Sequence, residues 1–121
     1  MTLRDAVCCF VLAMAPEVLF AQNSRQPDKV LYDAAVADIQ HHRYQRARLT
    51  LQTLINTYED SVLVAPSELA IAESWYKEGG ARALAEAEKA CNEVIHLFPD
   101  SQAAADAKVL LRKVQDAMPP K

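Results

Sequence analysis

Glycine is scarce in this chain, with two in 121 residues, and six prolines and a 24% charged fraction complete a composition unlike that of collagen or a disordered chain. Three cysteines, Cys8, Cys9 and Cys91, are too few and too poorly spaced for a disulfide framework or a zinc site, both of which need paired ligands. There is no excess of basic charge: 13 Lys and Arg stand against 16 Asp and Glu, the net charge is −3 and the pI is near 5.5. That balance lacks the basic footprint of a nucleic-acid binder. Long apolar runs are absent too. The longest, Ala6 to Ala15, would rise about 15 Å as a helix, half of a bilayer core. What is plentiful is apolar residues, at 51%, enough for the core of the single small domain that this length allows.

The first residues read as an export segment. Arg4 precedes the apolar run, Pro16 and Glu17 end it, and small residues follow, which is the outline of a secretory signal. We therefore expect residues 1–21 to be a signal peptide or hydrophobic N-terminal segment, cleaved after Ala21 or retained as an anchor. The residues before Cys8 and Cys9 do not form the Leu-small-small approach of a lipoprotein signal. Residues 22–27 are polar and without period, and read as a flexible leader.

An internal repeat sets the architecture. Tyr58-Glu59-Asp60-Ser61 recurs as Phe98-Pro99-Asp100-Ser101 forty residues on, and at the same offset Ala47 matches Ala87, Leu51 matches Cys91 and Leu54 matches Val94. Within each unit the apolar spacing is helical. Leu31, Ala34, Ala35 and Ile39 make one stripe, and Tyr44, Ala47, Leu51, Leu54 and Tyr58 a second. Leu69, Ala72, Trp75 and Tyr76 follow, then Leu84, Ala87, Cys91, Val94 and Phe98, and finally Ala103, Ala107, Leu110, Val114 and Met118. No segment alternates as a strand would. The reading is all-α, a right-handed stack of two helix-turn-helix repeats plus a C-terminal capping helix, over residues 28–118, with 119–121 as a tail. Asp60-Ser61 and Asp100-Ser101 are expected to cap the helices that follow them. Pro66 is expected near a first turn, and Gly79-Gly80 as a break between helices.

These residues resemble the tetratricopeptide repeat (TPR), a helical hairpin of about 34 residues with small residues where its helices cross. Ala35, Tyr44, Ala47, Leu51, Leu54 and Tyr58 occupy its positions in the first unit, where Glu59 replaces the closing proline. Ala72, Trp75, Gly79, Ala87, Cys91, Val94 and Pro99 occupy them in the second, where about three extra residues around Gly80-Ala81-Arg82 are expected to lengthen the turn. More narrowly, Leu31-Tyr32, the segment from Thr50 to Tyr58, and Ser74-Trp75-Tyr76-Lys77-Glu78-Gly79-Gly80 are similar to the N-terminal repeats of BamD-type outer-membrane assembly lipoproteins. The similarity covers residues 28 to about 111. It departs from that family in lacking the lipid-attachment motif and in having about two and a half repeats where about five are usual.

The resemblance implies a non-enzymatic protein-protein interaction scaffold in the bacterial cell envelope, exported and periplasmic or associated with the outer membrane. Its partners would be proteins or peptides, with membrane contact only indirect and weak self-association. A Tol-Pal or division-type periplasmic TPR protein, or a truncated, self-associating TPR module, are the alternatives. In TPR stacks the first helix of each unit lines the concave face. The resemblance therefore assigns partner binding to Tyr32, Val36 and Ile39, flanked by Lys29 and Gln40, and to Leu69, Glu73, Tyr76 and Lys77.

No catalytic, cofactor or metal site is expected. His41 and His42 are adjacent, about 100° apart on a helix, and cannot chelate one ion from one face; they read as a solvated helix end with His42 facing Asp38. Gly79-Gly80 lacks the Lys-Ser/Thr tail of a phosphate loop. Cys91 sits on an apolar stripe, where a small buried residue belongs. Glu86, Glu88 and Glu93 alternate with Lys89 and read as a solvated face.

Overall fold

The computed structural model describes residues 26–120, so the expected signal segment and residues 22–25 of the expected leader lie outside the described residues, while Pro27, expected in the leader, begins the first helix. Five helices follow one another: α1 (Pro27–Gln40), α2 (Tyr44–Thr57), α3 (Val64–Glu78), α4 (Ala81–Leu97) and α5 (Gln102–Ala117). Among the described residues there is no strand. Each helix packs against its neighbours in sequence, and α3 also packs along α5 and touches α1. The result is an all-α stack of helical hairpins, α1/α2 and α3/α4, closed on one side by α5.

The helix ends follow local chemistry, with three departures from expectation. Pro27 occupies the first turn of α1, where its missing N–H costs no bond, and Pro66 lies in the first turn of α3 for the same reason. Ser101 caps α5, its Oγ accepting from the Ala104 N–H at 3.1 Å. Ser61 does not cap α3. Its Oγ accepts from the Leu63 N–H at 3.0 Å and donates to Asp28 Oδ2 at 2.6 Å, so it ties the loop between the hairpins to the start of α1, and α3 begins only at Val64. That bond holds the Asp28 carboxyl below its usual range.

The second departure concerns the turn of the α3/α4 hairpin. Gly79 (φ 79°, ψ 174°) and Gly80 (φ 91°, ψ 158°) take a backbone conformation that only glycine adopts without strain, and they alone make the connection. The extra residues do not lengthen it. Ala81 and Arg82 instead open α4, which has 17 residues against 14 in α2. In the third departure, His42 does not face Asp38. Its backbone turns to φ 63° and its Nδ1 lies 2.7 Å from the Tyr44 hydroxyl, while Asp38 is taken by Arg46 at 3.4 Å and Arg43 at 3.6 Å.

The core comes in two clusters that meet in α3. The first joins Ala35 and Ile39 of α1, Ala47 and Leu51 of α2, and Ala70 of α3. The second joins Ala72 of α3, Leu84, Ala87, Cys91 and Val94 of α4, and Ala107, Leu110 and Val114 of α5. Alanines at the crossings bring the backbones close, and the larger side chains fill what remains; each fully buried Leu or Val contributes about 1.5–3 kcal/mol. Cys91 is one of those fillers, wholly buried, as its place on the stripe indicated. Burial, with the charges of Glu73 and Glu88, pushes its thiol up to about 11, which suppresses the reactive thiolate.

A candidate binding groove

The residues that the resemblance assigned to partner binding lie on α1 and α3, and α5 packs along α3 beside them. The structure brings its residues together unevenly. Ile39 is only 5% exposed and belongs to the first core cluster, so it offers a partner no surface. Tyr32 packs against that cluster, and Leu69 and Tyr76 pack against the second. Val36 is half-buried and Lys77 is exposed. Glu73 stands at the centre of this face. Burial raises its carboxyl above the usual range, Lys77 and Lys113 pull it down, and Asp106 of α5 adds to the rise. Its charge in turn adds to the burial that raises the Tyr32 hydroxyl. These helices therefore share a charged face.

A cavity of about 790 Å³ lies between α2, α3 and the start of α4. Ile71 and Trp75 of α3 form its floor, Leu49 and Gln52 of α2 one wall, and Gly80 and Arg82 the other. The floor is held by Arg48. Its guanidinium lies 3.5 Å from the centre of the Trp75 ring, donates to Ser74 Oγ at 3.2 Å and to Glu78 Oε1 at 2.8 Å. The Ser74 hydroxyl donates in turn to the Ile71 carbonyl at 2.6 Å. With the Arg48 side chain only 14% exposed, this arrangement fixes the indole without leaving a free cation. Stacking of this kind contributes about 0.5–2 kcal/mol as it loses water.

The groove was missed by reading the α1/α3 side. Two signals for it were present in the sequence. Leu49 is an apolar residue off the Ala47/Leu51/Leu54 stripe, and it is 65% exposed on the rim. Trp75, the only tryptophan, stands four residues before the double glycine. Glu86 and Glu88, expected in solvent, are half-buried, whereas Glu93 is exposed.

The groove's groups are an apolar floor, two amides and a satisfied ion pair, which suit recognition; the walls hold no nucleophile beside a base. No group of three or more His, Cys, Asp or Glu able to hold a metal ion occurs among the described residues. No helix among them is long and apolar enough to cross a membrane. No protein-family model matches the chain, and no curated protein matches it either.

Proposed function

We propose that the chain is a non-enzymatic interaction scaffold of the TPR kind, which holds a segment of a protein partner in the groove between α2 and α4. The observation that carries this reading is the Trp75 floor braced by Arg48 beneath an exposed Leu49. An aromatic-arginine pair in an apolar depression with a polar rim is the composition of binding hot spots. The export-signal outline of residues 1–21 and the likeness of residues 28 to about 111 to BamD-type repeats support placing the scaffold in the bacterial envelope, in outer-membrane protein assembly.

The test is a pull-down from a bacterial envelope extract with the wild-type chain, Leu49→Glu, and a Tyr32→Ala/Lys77→Glu double variant, each checked for an unchanged helical circular-dichroism spectrum. Leu49→Glu is expected to lose at least ten-fold of the bound partner, and the double variant to retain it. Loss with the double variant alone would return the site to the α1/α3 face. No specific capture by the wild type would end the reading.

A further inference from the structure

The groove over Trp75 continues along α3. A second space of about 150 Å³ shares Gln52, Ile71 and Trp75 with it and ends among Glu68 of α3 and Glu86, Lys89 and Glu93 of α4. Together they make one furrow with α2 and α4 as banks and α3 as floor. The floor is apolar in the middle, but the two ends differ in sign.

At one end lie Arg48 and Arg82, with Arg43 and Arg46 in an adjoining depression, and only Asp38 and Glu78 to balance four arginines. Both banks also begin here: α2 and α4 start without a side-chain cap and without an acidic residue in the first turn, so their free N–H groups add positive partial charge. At the other end three carboxylates face one lysine. Their crowding is felt by Glu68, whose carboxyl is raised by burial and then by the charge of Glu93.

We propose that this furrow takes an amphipathic helix of the protein partner, apolar on the face against Ile71 and Trp75, with acidic residues at its C-terminal end beside Arg82 and the uncapped starts of α2 and α4, and basic residues at its N-terminal end beside Glu68, Glu86 and Glu93. The occupant then runs antiparallel to α2 and α4, which sets its negative carbonyl end against their positive starts. From Ala81 to Glu93 the α4 bank rises about 18 Å, so the match is a helix of about three turns. This deepens the scaffold reading and rests on it.

Trp75, as the sole tryptophan, reports on the furrow by its fluorescence. The probes are two stapled helical peptides of identical composition and about 14 residues, free of aromatic residues, with one Leu/Ala face. One carries Lys in its first turn and Glu in its last, and the other the reverse. The first order is the worse one for an isolated helix, so a preference for it comes from the protein and not from peptide helicity. Titration of the full chain, followed by Trp75 emission and by calorimetry, is expected to give at least ten-fold tighter binding of the first peptide. The gap should shrink in about 0.5 M salt and close in a Glu86→Lys/Glu93→Lys variant. Equal affinities, or preference for the reversed order, would overturn the charge order while leaving the scaffold intact. If neither peptide binds while the envelope pull-down still succeeds, the furrow is not the docking site and the inference falls on that ground.

Discussion

The α1/α2 hairpin and the α3–α5 group are built from the same helical repeat but are held in different ways. Ten buried residues form the cluster shared by α3, α4 and α5, against five in the cluster that holds α1 and α2 to α3. Polar links show the opposite bias. All four ion pairs found among the described residues involve α1, α2 or the turn between them: Lys29 with Asp33, Asp38 with Arg43 and with Arg46, and Arg48 with Glu78. The Asp28–Ser61 bond adds a fifth polar tie on the same side. Three of the ion pairs lie within the hairpin itself; Arg48, through Glu78 and Ser74, carries the polar attachment to α3, and charge pairs respond to salt and pH more than apolar burial does, so it is through Arg48 that conditions act on the first hairpin. One bank of the proposed furrow is thus mounted on the less firmly held half, where opening costs less, while its floor and other bank belong to the larger core.

Four substitutions sharpen or break that contrast, from the largest expected effect down. Leu51→Ala removes a wholly buried side chain from the smaller cluster and is expected to cost about 2–5 kcal/mol. Urea unfolding followed by circular dichroism should then show the first hairpin leaving before the rest, and a single unshifted transition would count against two unequal cores. Arg48→Met keeps an apolar stem over Trp75 but loses the Glu78 and Ser74 bonds, for an expected loss of about 1–2 kcal/mol. Its stability should depend less on salt than that of the wild type.

Ser67→Ala has the opposite sign. The Ser67 Oγ is fully buried and bonds to no other group, so replacing it removes an uncompensated hydroxyl and improves helix propensity, with an expected gain of about 1 kcal/mol in unfolding free energy, read as a higher midpoint in the same titration. A loss would mean that the hydroxyl finds a partner in solution.

The smallest effect is that of Glu73→Gln. Burial raises the Glu73 carboxyl in the folded chain, so between its unfolded and folded values the native state binds more protons than the unfolded one and stability falls as pH rises. The penalty is therefore present above the raised native value and disappears well below the unfolded value of 4.5. Glu73→Gln is expected to raise Tm on the order of 1–3 °C at pH 7, with the gain vanishing well below pH 4.5. A gain that persisted in acid would assign the effect to packing and not to charge.

Much of this fold was legible in the sequence because helical stripes and turn residues act locally. Ala47, Leu51 and Leu54, and likewise Leu84, Ala87, Cys91 and Val94, are buried where their spacing placed them, and Gly79 marks the end of α3 with the positive φ expected of it. The misplaced details depend on contacts made across the fold. Ser61, hydrogen-bonded to Asp28 33 residues away, accepts from the Leu63 N–H in the loop, and α3 begins only at Val64, beyond its reach as a cap. His42 leaves Asp38 because Tyr44 and two arginines compete better for the two groups. Ile39 lies on the α1 stripe that packs against α2, so its periodicity already argued for the core, and only the family's groove positions placed it on a binding face. The furrow itself draws on three helices, with lining residues as far apart as Gln45 and Glu93, and no local spacing encodes which two of them will stand apart over the third.

Amide hydrogen exchange, read residue by residue on the intact chain, tests the unequal mounting of the two halves most directly. The account predicts that α1 and α2 exchange through an opening of lower free energy than α4 and α5, and that moderate salt narrows the protection of the first hairpin while leaving Val94 and Val114 unchanged. Equal protection across all five helices, or stronger protection in α1 than in α4, would contradict it.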